Sequence, residues 1–568
     1  MTNPQRPPNA LDHFFETLYE LRPVDATFIG VHTHDHRLPD WSPGGHEHAV
    51  ERWRAIAQAV GDPDLLDQQL GPADWPAVDR AVARSHIDLT LAELASPHFT
   101  RGNPSLVMGE VAFSVVGLVT RDFAPAAQRA SFLLQRLRAI PRFLAGATAT
   151  LATTPIPVAW ADRARREAAA TERLLAEGIP RWCQAMAFAD DRTQALVNAA
   201  QGAAGAVHAA AATLGDMTRA SDPARPAGEE LLSACIRRGH WMDRSVEDLR
   251  EEVLAALPEQ QELLGTSIRA AGASTLAEVQ GRLAQDHPSA ADYYASFQRC
   301  WDACRAASEA HALVTWPDSP IRYVPIPEWT RMAAPSLYYL YYRSPAPFDT
   351  YPIHDYVVSP IEDLDEDART RLLSAWNHST IKLNHVVHHG ALGHHVQNWY
   401  AYRASSRVGR IAAADCASRI LMLQGGTMAE GWACYATDLM EEVGFLTADE
   451  RVAEQHTRVR MLARALVDLE FHTGRRSFDD AIHLYVDAVG MTPEMARAEA
   501  TKNSMFPGTA MMYWFGTQGV HTARRSAEAR EGSAFSLRRF HDRFLAHGAL
   551  PVALIQRLMT AGDARSGT

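Results

Sequence analysis

Apolar residues recur every three and four positions through most of this chain, in windows rich in alanine, leucine and arginine, while strand-like alternation is rare. That pattern predicts helices over 45–60, 78–94, 123–142, 160–178, 191–216, 245–260, 290–312, 366–400, 411–442 and 449–475. Strand candidates are short: "SLVMGEVAFSVVGLV" at 105–119, "IRYVPIP" at 321–327 and "YPIHDYVVSP" at 351–360. The expected class is mostly α, a large helical fold with a few short strands near a cleft. Proline-rich turns are expected at 155–160, 221–230 and 343–352. A helical N-terminal region, 1–315, is expected to form one side of the cleft, with a C-terminal region, 320–568, carrying the chemistry.

Several classes are set aside by composition. A formal charge of -12 on 568 residues is the wrong sign for neutralising phosphates, so no nucleic-acid partner is expected, and it gives no attraction to an acidic membrane. No run of about 18 uncharged apolar residues predicts a spanning helix. The start, "MTNPQRPPNALDHFF", has neither the basic and apolar regions nor the cleavage site of a secretory signal, so the expected location is the cytoplasm. Six scattered cysteines, with Cys300 and Cys304 one helical turn apart, read as core thiols. Neither G-x-G-x-x-G nor G-x-x-x-x-G-K-[ST] occurs. The expected partner is a small molecule or short peptide; long apolar helices leave the oligomeric state open.

The densest chemistry lies in "NHVVHHGALGHHVQNWY", residues 384–400, where His385, His388, His389, His394 and His395 fall within eleven positions. On a continuous helix His385 can share an ion with His388 or His389. His388 and His395 share a face but stand two turns apart, about 10 Å along the axis. The glycines of "GALG", Gly390 and Gly393, each cost about 1 kcal/mol in a helix interior and mark a place where the backbone can break, swinging His394 back toward His388. A third ligand is best sought at Glu430 in "MAEGWACYATDLMEE", with Asp438, Glu441 and Glu442 expected to face solvent. Two histidines and a carboxylate around one divalent ion, zinc before iron or manganese, form a site that activates water. The alternative is that these histidines hydrogen-bond within a core or line a pocket without metal.

The same residues resemble a bacterial family known as domain of unknown function 885. Its central stretch, H-E-x-x-P-G-H-H-L-Q, aligns with His388 to Gln397, and its E-G-W-A-L-Y-A-E with Glu430 to Thr437. Further likeness falls on Glu499, Lys502, Asn503, Pro507, Gly508, Tyr513, Gly516 and Arg524, and on "DATFIGVHTHDHRLPDW" near the start. The resemblance implies a zincin-like, mostly helical fold and metal ligands at His388, His394 and Glu430. It also implies a general base at 389, where this chain has His389 in place of glutamate. Leu392 replaces a proline, Thr437 a glutamate, and Lys502 and Asn503 an Arg-Tyr pair. These departures fall on chemical positions, so either activity is lost or the cleft is rebuilt.

On this reading His389 and Tyr513 are the catalytic candidates, and Arg524, Lys502 and Tyr435 the candidates for substrate binding. The function expected is metal-dependent hydrolysis of a small peptide-like or amidated substrate. The alternatives are a non-hydrolytic metalloenzyme, a lyase or oxygen user with two histidines and a carboxylate on iron, or an inactive ligand-binding descendant. Two further groups are weighed: His32, His34 and His36 as a second ligand source, and Trp329, Tyr338, Tyr339, Tyr341 and Tyr342 as a cleft wall.

Overall fold

Helices carry the chain, and their ends follow from local chemistry. In the computed structural model residues 9–61, 74–219, 223–334, 342–343, 346–349, 354–412, 414 and 419–566 are described. The helix Ala448–His472 begins at Thr447, whose hydroxyl accepts from the Glu450 N–H while the Glu450 carboxylate returns to the Thr447 N–H. It packs along Val246–Ala270, which opens on a similar reciprocal cap between Ser245 and Asp248. Val253 and Leu257 of one helix and Val459 and Leu462 of the other share an apolar core, each side chain contributing about 1.5–3 kcal/mol by its burial.

Three expectations need correcting. The stretch 105–119 is helix, Pro104–Thr120, not strand. Asn103 caps it by accepting from the Ser105 N–H, and Pro104 supplies the first-turn φ. Most of this helix's own side chains are apolar and buried whichever face they lie on, which erases the amphipathic period and leaves a run that imitates a buried strand. The predicted 366–400 helix is three pieces, Glu366–Ala375, His378–Gly390 and His394–Ala401. In 155–160 only Ile156–Pro157 is extended, since a helix starts at Val158.

The strands are few, as expected. β1 (Ile156–Pro157) pairs in parallel with β2 (Thr218–Arg219). β3 (Ile321–Pro325), β4 (Tyr342–Arg343) and β5 (His354–Val358) form a sheet in the order β3-β5-β4, with β3 parallel and β4 antiparallel to β5. Register sets Tyr323 beside Tyr356, and both phenols point at the histidine segment. The largest core joins Phe14, Trp53 and Trp301 to Val386, Trp432 and Leu558, so chain from both ends buries the segment that holds the histidines.

Cys183, Cys300, Cys304 and Cys434 are free thiols, and burial pushes Cys300 and Cys304 up to about 12. Cys416 lies outside the described residues, as do Tyr338, Tyr339, Tyr341 and the side chain of Tyr342. Trp329 donates its indole N–H to the Val119 carbonyl. His32 is held between Asp35 and Asp349, each 2.8 Å from one ring nitrogen, so this residue serves as a structural cross-link.

Candidate metal centre

The helix that opens at His378 widens over Ile381–Gly390 into a π-helix. His389 uses this wide turn: its Nδ1 donates to the Asn384 carbonyl, five residues back, at 2.6 Å. In a neutral ring that bond places the lone pair on Nε2. The chain then breaks, with Ala391 at φ -130, ψ -114 and Gly393 at φ -72, ψ -117, before a new helix starts at His394.

Glycine is required at the second of these positions. The Gly393 N–H donates to the Val387 carbonyl at 2.8 Å, and a Cβ there would stand 1.9 Å from the His388 carbonyl oxygen. Carbonyls exposed by the break are taken by indoles: Trp301 donates to Gly390 at 2.7 Å and Trp432 to Leu392 at 2.9 Å. The turn brings the rings of His388 and His394 to 4.9 Å, and those of His389 and His394 to 5.3 Å.

Ligand atoms of His388, His389 and His394 lie within 4.8 Å of one another, a spacing that can hold a metal ion. Glu430 reaches the same place from the helix Arg419–Glu442: its Oε2 is 3.3 Å from His388 Nε2 and 3.7 Å from His394 Nε2. Close backbone contact fixes that helix on its neighbour, Met512–Glu531, because a Cβ on Gly431 would lie 2.4 Å from the Gly516 carbonyl carbon. Asp438 does not face solvent; it pairs with Arg458 at 2.5 Å and with His521 at 2.8 Å.

The remaining histidines of the cluster go elsewhere. His385 stacks on Trp376 at 3.9 Å, and its Nδ1 meets the Tyr356 hydroxyl at 2.6 Å. His395 donates to the Ser319 carbonyl at 2.8 Å and stands edge-on to His354.

Charge is sorted across the site. Burial raises the Glu430 carboxyl, but the His388 hydrogen bond and the histidine charges override it and hold the group down to about 2. Burial works against a charged His388 as well, and the Cys434 and Glu430 contacts push it up to about 10. Burial keeps His394 down to about 4, and burial with the charges of His388 and His394 holds His389 far below its ordinary range. The result is an ion pair, Glu430 with His388, beside two neutral imidazoles. A divalent cation binds neutral imidazole and carboxylate, so His388 must give up this proton when an ion binds.

A cavity of about 510 Å³ opens onto these residues, lined by His389, His394, Glu430 and Tyr513 among others. Residues 23–559 match the family described as bacterial protein of unknown function, DUF885. The chain belongs to the DUF885 family. No curated protein matches it significantly. Solved structures do, and two of them, both at 16% identity, speak to the fold alone. One is a candidate lipoprotein of unknown function from Shewanella oneidensis, with a TM-score of 0.75 over 97% of this chain and 99% of that one. The other is a candidate lipoprotein from Colwellia psychrerythraea, with a TM-score of 0.77 over 99% of this chain and 100% of that one.

Both structures are described as lipoproteins, which stands against the cytoplasmic location expected for the DUF885 protein from its N-terminal sequence; the description is of those two proteins. Among its described residues no helix is long and apolar enough to cross a membrane.

Lys502 of the DUF885 protein also lines the cavity, whereas Tyr435 and Arg524 do not. Arg524 lies eleven residues beyond Tyr513 on one helix, about 16 Å along its axis. Its guanidinium bonds the Tyr435 hydroxyl, Glu442 and Glu528, and the Tyr435 hydroxyl also meets His541 Nε2 at 2.9 Å. That network joins helices behind the cavity, which corrects the expectation that these two residues touch substrate.

Sequence reasoning missed three lining residues of the DUF885 protein, Arg163, Arg464 and Gln397. The arginines sit on separate helices, each with a glutamate partner that makes it look like an ordinary helix-surface residue: Arg163 with Glu167 and Arg464 with Glu499. Gln397 had a usable signal, since it follows His394 by three positions and therefore shares its face.

Proposed function

We propose that this DUF885 protein is a metal-dependent hydrolase acting on a small peptide-like or amidated substrate, a zincin-like site whose usual glutamate base has been replaced. The observation that carries the reading is the convergence of His388 Nε2 and His394 Nε2 on one oxygen of Glu430, at 3.3 and 3.7 Å. These three residues hold the ion; their nitrogen and carboxylate donors suit zinc first, and iron or manganese after it. A divalent ion bound there supplies Lewis-acid polarisation and water of lowered pKa.

The chain's own side chains do the remaining work. His389, with Nδ1–H committed to Asn384, accepts a proton at Nε2 and returns it to the leaving nitrogen. Tyr513 keeps its hydroxyl proton, because burial and then the charge of Glu430 hold the phenol well above its ordinary range. It donates to the oxygen on which negative charge develops. Its ring is placed by the Arg464 guanidinium, 5.2 Å from the ring centre.

One observation favours a second reading. The ligand atoms of His388, His389 and His394 all lie within 4.8 Å of one another, so His389 can be a ligand itself. The site is then three imidazoles and a carboxylate, and a lyase or oxygen-using reaction replaces hydrolysis. Elemental analysis of protein purified without added metal separates these readings. The hydrolase requires about one metal per chain, lost in His388→Ala and Glu430→Ala and kept in His389→Ala while turnover falls. Loss of metal in His389→Ala makes that residue a ligand. Absence of metal and turnover from the wild type leaves an inactive descendant.

A further inference from the structure

Beside the histidines, one part of the cavity wall is built from buried cations. Arg163, Arg464 and Lys502 line it together with the carboxylates Glu167 and Glu499. Arg22 and the carboxylates Glu93, Glu110 and Glu430 line the same cavity, and a further cation, Arg460, lies behind with a buried Nε that has no hydrogen-bond partner among the described residues. Arg464 presses on Arg460 strongly enough to lower its guanidinium below the ordinary value, the sign of like charges packed together. Burying like charges is costly unless an anion joins them.

These cations stand close to the chemistry. Lys502 lies within the fields of Arg464, Glu499, Arg163 and Glu430, and Tyr513 within those of Glu430, Arg464 and Glu499. Burial, then Arg464, lowers the Lys502 ammonium only to about 8, so it is still charged near neutral pH.

A second observation points to a ligand. Gln397 is 1% exposed and lines the cavity, yet neither its side-chain nitrogen nor its oxygen has a hydrogen-bond partner among the described residues. Leaving a buried amide unmatched costs about 1–3 kcal/mol. Its nitrogen can donate to a carbonyl and its oxygen can accept from an N–H, so a substrate that carries amide C=O and N–H groups along its chain can match it. Gln397 sits one helical turn from His394, so an amide held there lies beside the proposed reaction centre.

We infer that the cavity recognises a substrate with a free carboxylate next to its scissile amide, the acid held by Lys502, Arg464 and Arg163 and the amide by Gln397. Such substrates are N-acyl amino acids and short peptides with a free C-terminal acid. The inference rests on the hydrolase reading for its reaction but not for its binding. Hydrolysis breaks the amide C–N bond, adds the hydroxyl of water to the acyl carbon and its hydrogen to the nitrogen, and releases a carboxylate and an amino acid. About 510 Å³ is room for a ligand of this size.

The test uses whole protein freed of metal with EDTA, so that no ion captures the acid. It is titrated calorimetrically with N-acetyl-phenylalanine, N-acetyl-phenylalaninamide and glycyl-phenylalanine. The expected result is at least tenfold tighter binding of N-acetyl-phenylalanine than of its amide. Lys502→Gln should abolish that advantage, while Gln397→Leu should weaken both probes by a similar factor. Preference between N-acetyl-phenylalanine and glycyl-phenylalanine tells an acylated amino acid from a peptide. Equal affinity of wild-type protein for acid and amide, or failure to bind the acid, overturns the inference with no variant needed. Preferential binding without hydrolysis in the zinc-loaded protein upholds the subsite and removes the hydrolase reading.

Discussion

Trp432 stands two residues after Glu430 and donates its indole N–H to the carbonyl of Leu392, inside the break of the histidine segment. One hydrogen bond therefore ties the helix that supplies the carboxylate to the turn that supplies the imidazoles.

Trp432→Phe keeps most of the ring and loses that tie. The expected cost is about 1–2 kcal/mol of stability, since the Leu392 carbonyl is left buried without its donor. Zinc affinity should fall as well, because nothing then fixes the spacing of Glu430 from His388. Urea unfolding and a competitive zinc titration measure the two effects; unchanged zinc affinity would contradict the coupling.

Gly393→Ala places a Cβ where the His388 carbonyl oxygen already stands, at 1.9 Å. The turn must open to admit it, separating His394 from His388. Metal content should drop at least tenfold while far-ultraviolet circular dichroism stays close to wild type. Gly202→Ala, at a helix position with open space around it, should change neither.

His389→Glu restores the acid that the family motif has at this position. If His389 is the base, the variant keeps its metal and gains peptidase turnover by about tenfold or more, with the acid limb of the pH profile shifted from its wild-type position. A gain in turnover with no change in the profile would remove His389 from proton transfer.

His32 supplies a pH test far from the metal site. Desolvation disfavours its charge, but the hydrogen bonds that its ring N–H groups donate to Asp349 and Asp35 prevail and raise the ring to about 9. Its folded value lies above the ordinary 6.5, so the cross-link contributes fully below about pH 6.5 and is lost as pH rises through about 9. Against His32→Asn, the wild type should be more stable by about 2 kcal/mol at pH 6 and by little at pH 10. A gap that is the same at both pH values would show that the ring is not charged.

Asp468 accepts three backbone N–H groups, from Gly508, Ala510 and Met511, at 2.8, 2.9 and 3.0 Å. They belong to the turn that delivers Tyr513 to the cavity. Asp468→Ala leaves these donors unmatched, at an expected cost of about 3 kcal/mol or more. Turnover should fall further than zinc content, because the turn positions the phenol and not the ion.

What could be read in advance followed the range of the interactions. The π-helix, the break at Gly393 and the return of His394 are local, and the glycine spacing of "GALG" pointed to them. Helix 104–120 was misread because its burial is complete: Val111, Val115 and Val119 face protein, and so do Ala112 and Val116. Periodicity reports a contrast between inside and outside, and here there is none. Arg524 looked like a substrate ligand by alignment, but only the crossing of two helices reveals that it bonds Tyr435 and Glu442. Arg163, Arg464 and Lys502 come from three helices and acquire a joint meaning only where those helices meet.

The widened helix Ile381–Gly390 has a consequence for how such a site changes through descent. A π-helical turn accommodates one residue more than an α-helical turn of the same height, so the wall of the cavity carries surplus chain. Deleting a single residue within 381–384 would let the segment relax toward α-geometry with the residues beyond it kept near their register, whereas the same loss from an α-helical turn would swing every following side chain by about 100° about the axis. The surplus residue thus lets the histidine wall absorb a loss that would scatter the same side chains on an ordinary helix.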